Sequence, residues 1–100
     1  MNIALDYDDT YTLDPTSWNK IINLLLDAGH NVYCVTKRYE SIADDIKEAM
    51  NIPIIFAFKS KLEAVNSAGI FIDVWIDDRP SSIMPYQKPL KNAPFRGFLK

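Results

Sequence analysis

The 100-residue sequence has little glycine and almost no cysteine or histidine. Its three glycines, Gly29, Gly69 and Gly97, lie far apart, so it lacks the glycine-rich loop with which P-loop enzymes and dinucleotide-binding proteins hold phosphates. The single cysteine, Cys34, cannot form an intramolecular disulfide, and the sequence lacks the paired cysteine spacings of structural zinc sites. These absences argue against a disulfide-stabilised secreted domain and indicate a reducing compartment.

Long apolar runs are also missing. No segment approaches the roughly 20 apolar residues that cross a membrane, and the first residues reach Asp6 without the basic and apolar regions of a signal peptide. We therefore expect a cytoplasmic protein without a membrane partner. Because 48% of the residues are hydrophobic, a chain of 100 residues can bury one modest core.

Acidic residues are absent from the last fifth of the chain. Residues 1–78 hold all 13 acidic and six of the 11 basic residues, a net charge of −7, whereas 79–100 hold five basic residues and no acid, a net charge of +5. Four of the six prolines also lie there. We predict a core over 1–80 and a basic, proline-rich tail over 81–100 packed on it, within one domain. Aromatic residues of the tail either pin it to the core or stack on nucleic-acid bases; they are Tyr86, Phe95 and Phe98.

The hydrophobic pattern predicts four strands that alternate with three helices. The strands are expected at 3–5, 31–36, 54–58 and 71–76, and the helices at 16–28, 41–50 and 60–69. Asp14-Pro15 predicts the start of the first helix, Ser41 that of the second, and Ser60 with Glu63 forms a capping box for the third. This alternation predicts an α/β fold with a parallel sheet and right-handed crossovers.

Acidic residues follow two of the predicted strands. The first strand is followed by Asp6, Asp8 and Asp9, and the fourth by Asp77 and Asp78. In an α/β fold the carboxyl ends of the strands meet at one edge, where ligands bind. Carboxylates gathered there repel one another unless a cation neutralises them, and an all-oxygen site with few protein ligands suits Mg²⁺.

A hydroxyl and an ammonium group lie between these two acidic clusters in chain order. Thr36 ends the second strand, and Lys59 or Lys61 follows the third. Both groups suit the non-metal oxygens of a phosphoryl group. Taken singly, each of these residues is as well explained as a turn former, a helix cap or a solvated side chain.

In this order, the residues resemble the four motifs of the haloacid dehalogenase (HAD) superfamily. Asp6-x-Asp8-x-Thr10 resembles the first motif, D-x-D-x-[TV], and Thr36 the second. Lys61 resembles the third-motif lysine, and Asp77-Asp78 the fourth-motif acidic pair. The resemblance covers residues 3 to 80 and is closest to short bacterial and phage HAD-like proteins. It implies a three-layer α/β/α, Rossmann-like core.

The resemblance assigns a role to each matching residue. It makes Asp6 the nucleophile, Asp8 the general acid and base, and Thr36 and Lys61 the groups that hold the phosphoryl oxygens. The implied Mg²⁺ ligands are the Asp6 carboxylate, the Asp8 main-chain carbonyl, Asp77 and Asp78. Asp9, at the family's variable position, is expected in a turn. The remaining candidate phosphate-binding residues are Thr10, Lys37, Arg38 and Arg79, of which the last three are otherwise solvated or paired in salt bridges.

If Asp6 and Asp77 share one ion, the first and fourth strands must be neighbours, which predicts the strand order 3-2-1-4. The connections leave no room for the cap domain that many HAD enzymes carry. The predicted function is therefore a Mg²⁺-dependent phosphatase with an open site. An open site favours a large phosphorylated substrate, such as a nucleotide, a polynucleotide end or a phosphoprotein, or a lid supplied by a second subunit of a homo-oligomer or by the tail.

Two alternatives come from other classes of protein. A HAD-like module could keep the site residues but serve only in binding or regulation. A phosphoacceptor receiver domain also gathers acids, a threonine and a lysine around Mg²⁺, but its acceptor aspartate ends the third strand, where this chain has Phe58-Lys59.

Overall fold

Four short strands alternate with three helices along residues 1–85, the part of the chain that this computed structural model describes. The strands are β1 (Asn2–Leu5), β2 (Asn31–Thr36), β3 (Ile54–Phe56) and β4 (Val74–Ile76), and the helices are α1 (Pro15–Asp27), α2 (Asp44–Ala49) and α3 (Lys61–Ser67). Short 3-10 helices cover Tyr11–Leu13, Glu40–Ile42 and Pro80–Ser82. Most of the predicted basic tail, with its three aromatic residues, lies outside the described residues.

The strands form one parallel sheet in the order β3-β2-β1-β4, which confirms the predicted α/β class and strand order. Leu5 of β1 pairs with Cys34 of β2 on one side and with Ile76 of β4 on the other. The next residue, Asp6, donates its main-chain N–H to the carbonyl of Ile76 at 3.0 Å. The acidic residues after β1 and β4 therefore emerge side by side.

Two apolar clusters cover the two faces of the sheet. One contains Leu5, Val32 and Cys34 of the sheet together with Ile22 of α1 and Ile46 of α2. The other contains Ala4 and Val35 of the sheet together with Val65 of α3. Alternate residues of β2 thus point to opposite faces, as the two-residue period of a strand requires. The sheet is a rigid base from which the loops at its carboxyl edge project.

Side-chain caps fix the starts of two of the three helices. Asp14 accepts a hydrogen bond from the N–H of Ser17 at 3.2 Å, with Pro15 as the first helical residue of α1. Ser60 accepts one from the N–H of Glu63 at 3.1 Å and so begins α3. The predicted start of the second helix at Ser41 is wrong. That serine lies in a separate 3-10 turn, and α2 begins at Asp44 after the uncapped position Ala43.

The outer strands are shorter than predicted. β3 ends at Phe56 rather than at residue 58, and β4 begins at Val74 rather than at residue 71. A strand extends only as far as its neighbour offers main-chain partners, and β2 ends at Thr36, which pairs with Phe56. Beyond these limits, Ala57 and Ile72 are buried, whereas Phe58 is 79% exposed and Phe71 is 74% exposed.

Candidate functional site

A cavity of about 560 Å³ lies at the carboxyl edge of the sheet. Every site residue predicted from the sequence lines it except Thr10, which contacts Asp6 from beside it. Asp9, Ser81 and Ser82 complete the lining. The structure therefore brings together residues that are up to 76 positions apart in the chain, from Asp6 to Ser82.

A buried lysine joins the two acidic clusters. The Nζ of Lys61 donates to Asp6 at 2.7 Å and to Asp77 at 2.5 Å. The side chains of Lys61 and Asp77 are both 3% exposed and that of Asp6 is 9% exposed. Lys61 reaches this point because the cap at Ser60 makes it the first residue of α3. Lys59, the alternative lysine, lines neighbouring cavities instead.

Thr10 links Asp6 to the second acid of the pair after β4. Its hydroxyl donates to Asp6 at 3.1 Å and lies 3.4 Å from a carboxylate oxygen of Asp78. The main-chain N–H of Asp78 donates to the same hydroxyl at 3.3 Å. The predicted phosphate-binding residue Thr10 therefore positions two acidic groups.

Three carboxylates lie close enough to hold one metal ion. Asp6, Asp77 and Asp78 each offer an oxygen atom, and these atoms all lie within 4.8 Å of one another. The carboxylates of Asp6 and Asp77 are buried and Asp78 is exposed, so the group opens from the protein interior to solvent. Lys61 offsets only one of the three negative charges, which leaves the group able to attract a further cation.

The environment shifts the pKa values of two of these acids in opposite directions. Burial raises the pKa of Asp6 to about 6, although the hydrogen bond from Lys61 acts to lower it. A hydrogen bond with Asp6 holds the pKa of Asp78 below its ordinary value, against the smaller effect of desolvation. Without an ion, Asp6 is therefore protonated more readily than Asp78.

The carboxylate of Asp8 lies apart from the three-acid group and is held by Arg38. The guanidinium contacts Asp8 through two nitrogens, at 2.6 and 3.3 Å, and Asp45 of α2 at 2.9 and 3.1 Å. It also donates to the carbonyl of Ile42 at 3.1 Å and lies over the ring of Tyr7. The metal role predicted for Asp8 involves its main-chain carbonyl and stays a prediction.

The other predicted residues occupy the wall and rim of the cavity. Thr36 is 1% exposed, and its hydroxyl accepts the N–H of Arg38 at 3.1 Å. Arg79 donates its main-chain N–H to Asp77 at 2.8 Å, which orients that carboxylate. Lys37 is exposed at the rim.

Sequence reasoning missed Asp45 and Ser82. Asp45 anchors Arg38 and lies in the first turn of α2, which the sequence pattern had placed at Ser41. The hydroxyl of Ser82 lies 3.5 Å from Asp77, in the turn begun by Pro80. The only sequence signal for Ser82 was its position shortly after residues 77–80, Asp-Asp-Arg-Pro. Asp9 does occupy a turn, with a left-handed φ of 62°.

The search for related proteins found no match to this chain among protein-family models, curated proteins or solved structures. Within residues 1–85, the helices are too short or too polar to cross a bilayer. The fold and the site thus define a class of protein, an α/β domain whose parallel sheet carries a possible metal-binding group of acids at its carboxyl edge.

Proposed function

We propose that this chain is a capless HAD-like phosphatase with a three-layer core, dependent on Mg²⁺ and working through an aspartyl-phosphate on Asp6. The observation that carries the proposal is the position of Lys61 Nζ, which contacts both Asp6 and Asp77 beside Asp78. These four residues come from three separate parts of the chain. The arrangement agrees with what the motif resemblance implies for the nucleophile, the lysine and the acidic pair.

The donor set fits Mg²⁺. It offers carboxylate oxygens only, from Asp6, Asp77 and Asp78, with one side open for water and substrate. The ion, when bound, neutralises charge on the phosphoryl group during transfer. A bound cation would also favour the ionised form of Asp6, the form that a nucleophile requires, against the effect of burial.

In the proposed reaction, a carboxylate oxygen of Asp6 attacks phosphorus and the bond from phosphorus to the leaving oxygen breaks. Asp8 gives its proton to that oxygen, so the alcohol departs neutral. Asp8 then takes a proton from a water molecule, whose oxygen attacks the same phosphorus and releases phosphate and free Asp6. Lys61 and the hydroxyl of Thr36 stabilise the charge on the transferring oxygens.

Arg38 controls whether the carboxylate of Asp8 is available as the acid and base of the proposed reaction. It holds the Asp8 carboxylate through two nitrogens and is itself anchored by Asp45. For Asp8 to carry a proton, this contact must loosen when substrate arrives. A phosphate that competes for the guanidinium of Arg38 would have that effect, so substrate binding would release Asp8 for its role.

The open cavity favours a large phosphorylated substrate, including a nucleotide or polynucleotide end, and a second subunit could cover it in a homo-oligomer. The free, buried thiol of Cys34 agrees with a reducing, cytoplasmic setting.

The test compares wild-type protein with Asp6→Asn on para-nitrophenyl phosphate and on a panel of nucleotides, phosphorylated oligonucleotides and phosphopeptides. We expect hydrolysis by the wild-type protein with Mg²⁺, its loss with a chelator, and a fall of at least about 10³-fold in Asp6→Asn, which lacks the nucleophile. Asp27→Asn, an exposed aspartate at the end of α1, is the matched control and should retain full activity. Equal rates in Asp6→Asn and wild type would exclude the mechanism.

The second candidate is a metal-binding module without turnover. The specific observation in its favour is the Asp8–Arg38–Asp45 cluster, in which the proposed acid and base, Asp8, is held in an ion pair with Arg38, which is itself paired with Asp45. Metal binding by the pure protein without hydrolysis of any phosphoester in the panel would support this candidate.

A further inference from the structure

Two more cavities continue from the candidate active site past β2 and β3. The second cavity, of about 700 Å³, shares Lys37, Ser81 and Ser82 with the first. The third, of about 420 Å³, shares Lys59, Ser60 and Glu63 with the second. Because each cavity shares three lining residues with the next, the three lie in a row, here called the groove, that begins at Asp6.

The outer part of this groove is basic. Its described lining contains two exposed lysines, Lys37 and Lys59, and one acid, Glu63. The carboxylate of Glu63 accepts a hydrogen bond from Ser60 at 3.1 Å, so it is already engaged in capping α3. Among the described residues, the lining therefore changes from mainly acidic around Asp6 to a small excess of positive charge farther out, which suits a chain with repeated negative charges.

Two aromatic rings are exposed in the loops that follow β2 and β3. Phe58 is 79% exposed and lines the third cavity, and Tyr39 is 63% exposed in the loop that follows β2. The two loops leave neighbouring strands, since Thr36 pairs with Phe56. Each ring lies within two residues of an exposed lysine, Lys37 or Lys59. Exposed rings beside basic side chains are the elements with which proteins bind single-stranded nucleic acid, by base stacking and phosphate contact.

We propose that the substrate is a single strand of nucleic acid with a terminal phosphate. This inference rests on the proposed phosphatase function. The terminal phosphate would lie at Asp6, the following phosphates would contact Lys37 and Lys59, and a base would stack on Phe58. A phosphopeptide lacks both the regular negative charge and the flat base, and a duplex keeps its bases paired and stacked on one another. Single-stranded nucleic acid therefore fits the groove better than either.

Binding is tested with a single-stranded DNA of about ten nucleotides, phosphorylated at one end and dye-labelled at the other, in both polarities. Fluorescence anisotropy with the Asp6→Asn protein in Mg²⁺ separates binding from turnover. We expect Phe58→Ala to weaken binding about tenfold through lost stacking. Lys59→Ala should reduce the slope of log affinity against log salt by about 0.7, the value for one phosphate contact on a single strand.

The chain offers a matched control for each variant. Phe71→Ala removes a ring that is 74% exposed but lies before β4, at the opposite edge of the sheet, and Lys20→Ala removes an exposed lysine of α1. Both should leave DNA binding unchanged. Because all four side chains are exposed, the variants should keep the melting temperature of the parent protein, which is measured alongside.

Measurements of turnover distinguish a failure of the proposed substrate from a failure of the proposed phosphatase function. In the otherwise wild-type protein, Phe58→Ala should lower kcat/KM about tenfold for the phosphorylated strand and should have a much smaller effect on para-nitrophenyl phosphate, which has no base to stack. The substrate assignment alone would be overturned if the protein hydrolyses the small ester but does not prefer the single strand. That result would be equal binding of a phosphopeptide of the same charge, preferred binding of a duplex, or no effect of Phe58→Ala. If the protein hydrolyses no ester but binds the strand, and Phe58→Ala weakens that binding, the phosphatase function would be wrong and the nucleic-acid site would be supported.

Discussion

Two clusters, each of one basic and two acidic side chains, contribute residues to the wall of one cavity. In each, a single basic side chain bridges two aspartates, Lys61 between Asp6 and Asp77, and Arg38 between Asp8 and Asp45. The first cluster is buried, with side chains 3 to 9% exposed, and the second is open, with side chains 22 to 54% exposed. The two clusters therefore differ more in burial than in chemistry.

A buried cluster cannot lose one charge without leaving the others unsatisfied, because desolvated ions depend on their partners. An exposed cluster can exchange its partners for water at little cost. The Lys61 cluster is therefore suited to hold a fixed geometry for metal and phosphate. The Arg38 cluster is suited to rearrange, which the proposed role of Asp8 requires.

The largest effect is expected from breaking the buried cluster. Lys61→Met leaves Asp6 and Asp77 facing each other without a cation, and the free energy of unfolding should fall by about 3–5 kcal/mol. Urea denaturation measures this loss. The double variant Lys61→Met with Asp77→Asn should recover part of it, because the repulsion is then relieved. A loss below 1 kcal/mol in the single variant would show that the cluster is less desolvated than its geometry indicates.

Magnesium provides the next comparison. If the ion binds at the buried acids, it should raise the free energy of unfolding by about 2.7 kcal/mol at 100 times its dissociation constant. Asp77→Asn should remove most of this stabilisation, whereas Asp45→Asn in the exposed cluster should retain it. Thermal unfolding across a magnesium titration measures both. Equal losses in the two variants would contradict binding at the three-acid group.

The thiol of Cys34 is buried in the protein interior near Asp6, so its ionisation is sensitive to burial. Its side chain is 0% exposed, and burial, reinforced by the negative charge of Asp6, raises the pKa of its thiol to about 12. Above pH 8.5, roughly where a free thiol ionises, the unfolded chain loses this proton and the folded chain keeps it until about pH 12. Stability should therefore fall with rising pH in that window, by about 1.4 kcal/mol per unit from this group.

Comparison with Cys34→Ala isolates the thiol from tyrosines and lysines that also titrate there. The stability difference between wild type and Cys34→Ala should be constant below pH 8 and should shrink as pH rises above 9. A difference that stays constant to pH 11 would mean that the thiol ionises as easily in the folded protein as in the unfolded chain.

The smallest effect is expected from the open cluster. Arg38→Met should change the free energy of unfolding by about 1 kcal/mol or less, and less still at high salt, because its ion pairs are solvated. Urea denaturation at low and high ionic strength tests this. A loss as large as that of Lys61→Met would remove the distinction between the two clusters.

The buried cluster was predictable from the sequence because its members follow regular elements. Asp6 and Asp77 directly follow neighbouring strands, and Lys61 begins a helix whose cap is visible in the sequence as Ser60 with Glu63. The requirement that two acids share one ion predicted the strand order that the sheet shows. The chemistry assigned to these residues is still a prediction.

The exposed cluster was not predictable. Arg38 has a long side chain in an irregular loop, and which of the nearby acids it binds depends on the loop path rather than on any periodic pattern. Asp45 escaped notice because α2 starts three residues later than the Ser41 pattern indicates. The lengths of β3 and β4 were also missed, since they depend on how far β1 and β2 extend as partners.

The left-handed backbone conformation of Asp9 restricts which amino acids can occupy position 9. Among residues 1–85, Asp9 is the one residue other than glycine with a positive φ, a conformation that costs most side chains about 1–2 kcal/mol and that asparagine, aspartate and glycine tolerate best. The turn lies between Asp8 and Thr10, whose side chains serve different clusters. Position 9 therefore acts as a spacer chosen for its backbone, and relatives of this chain should vary there among those three residues while the chemistry on either side stays the same.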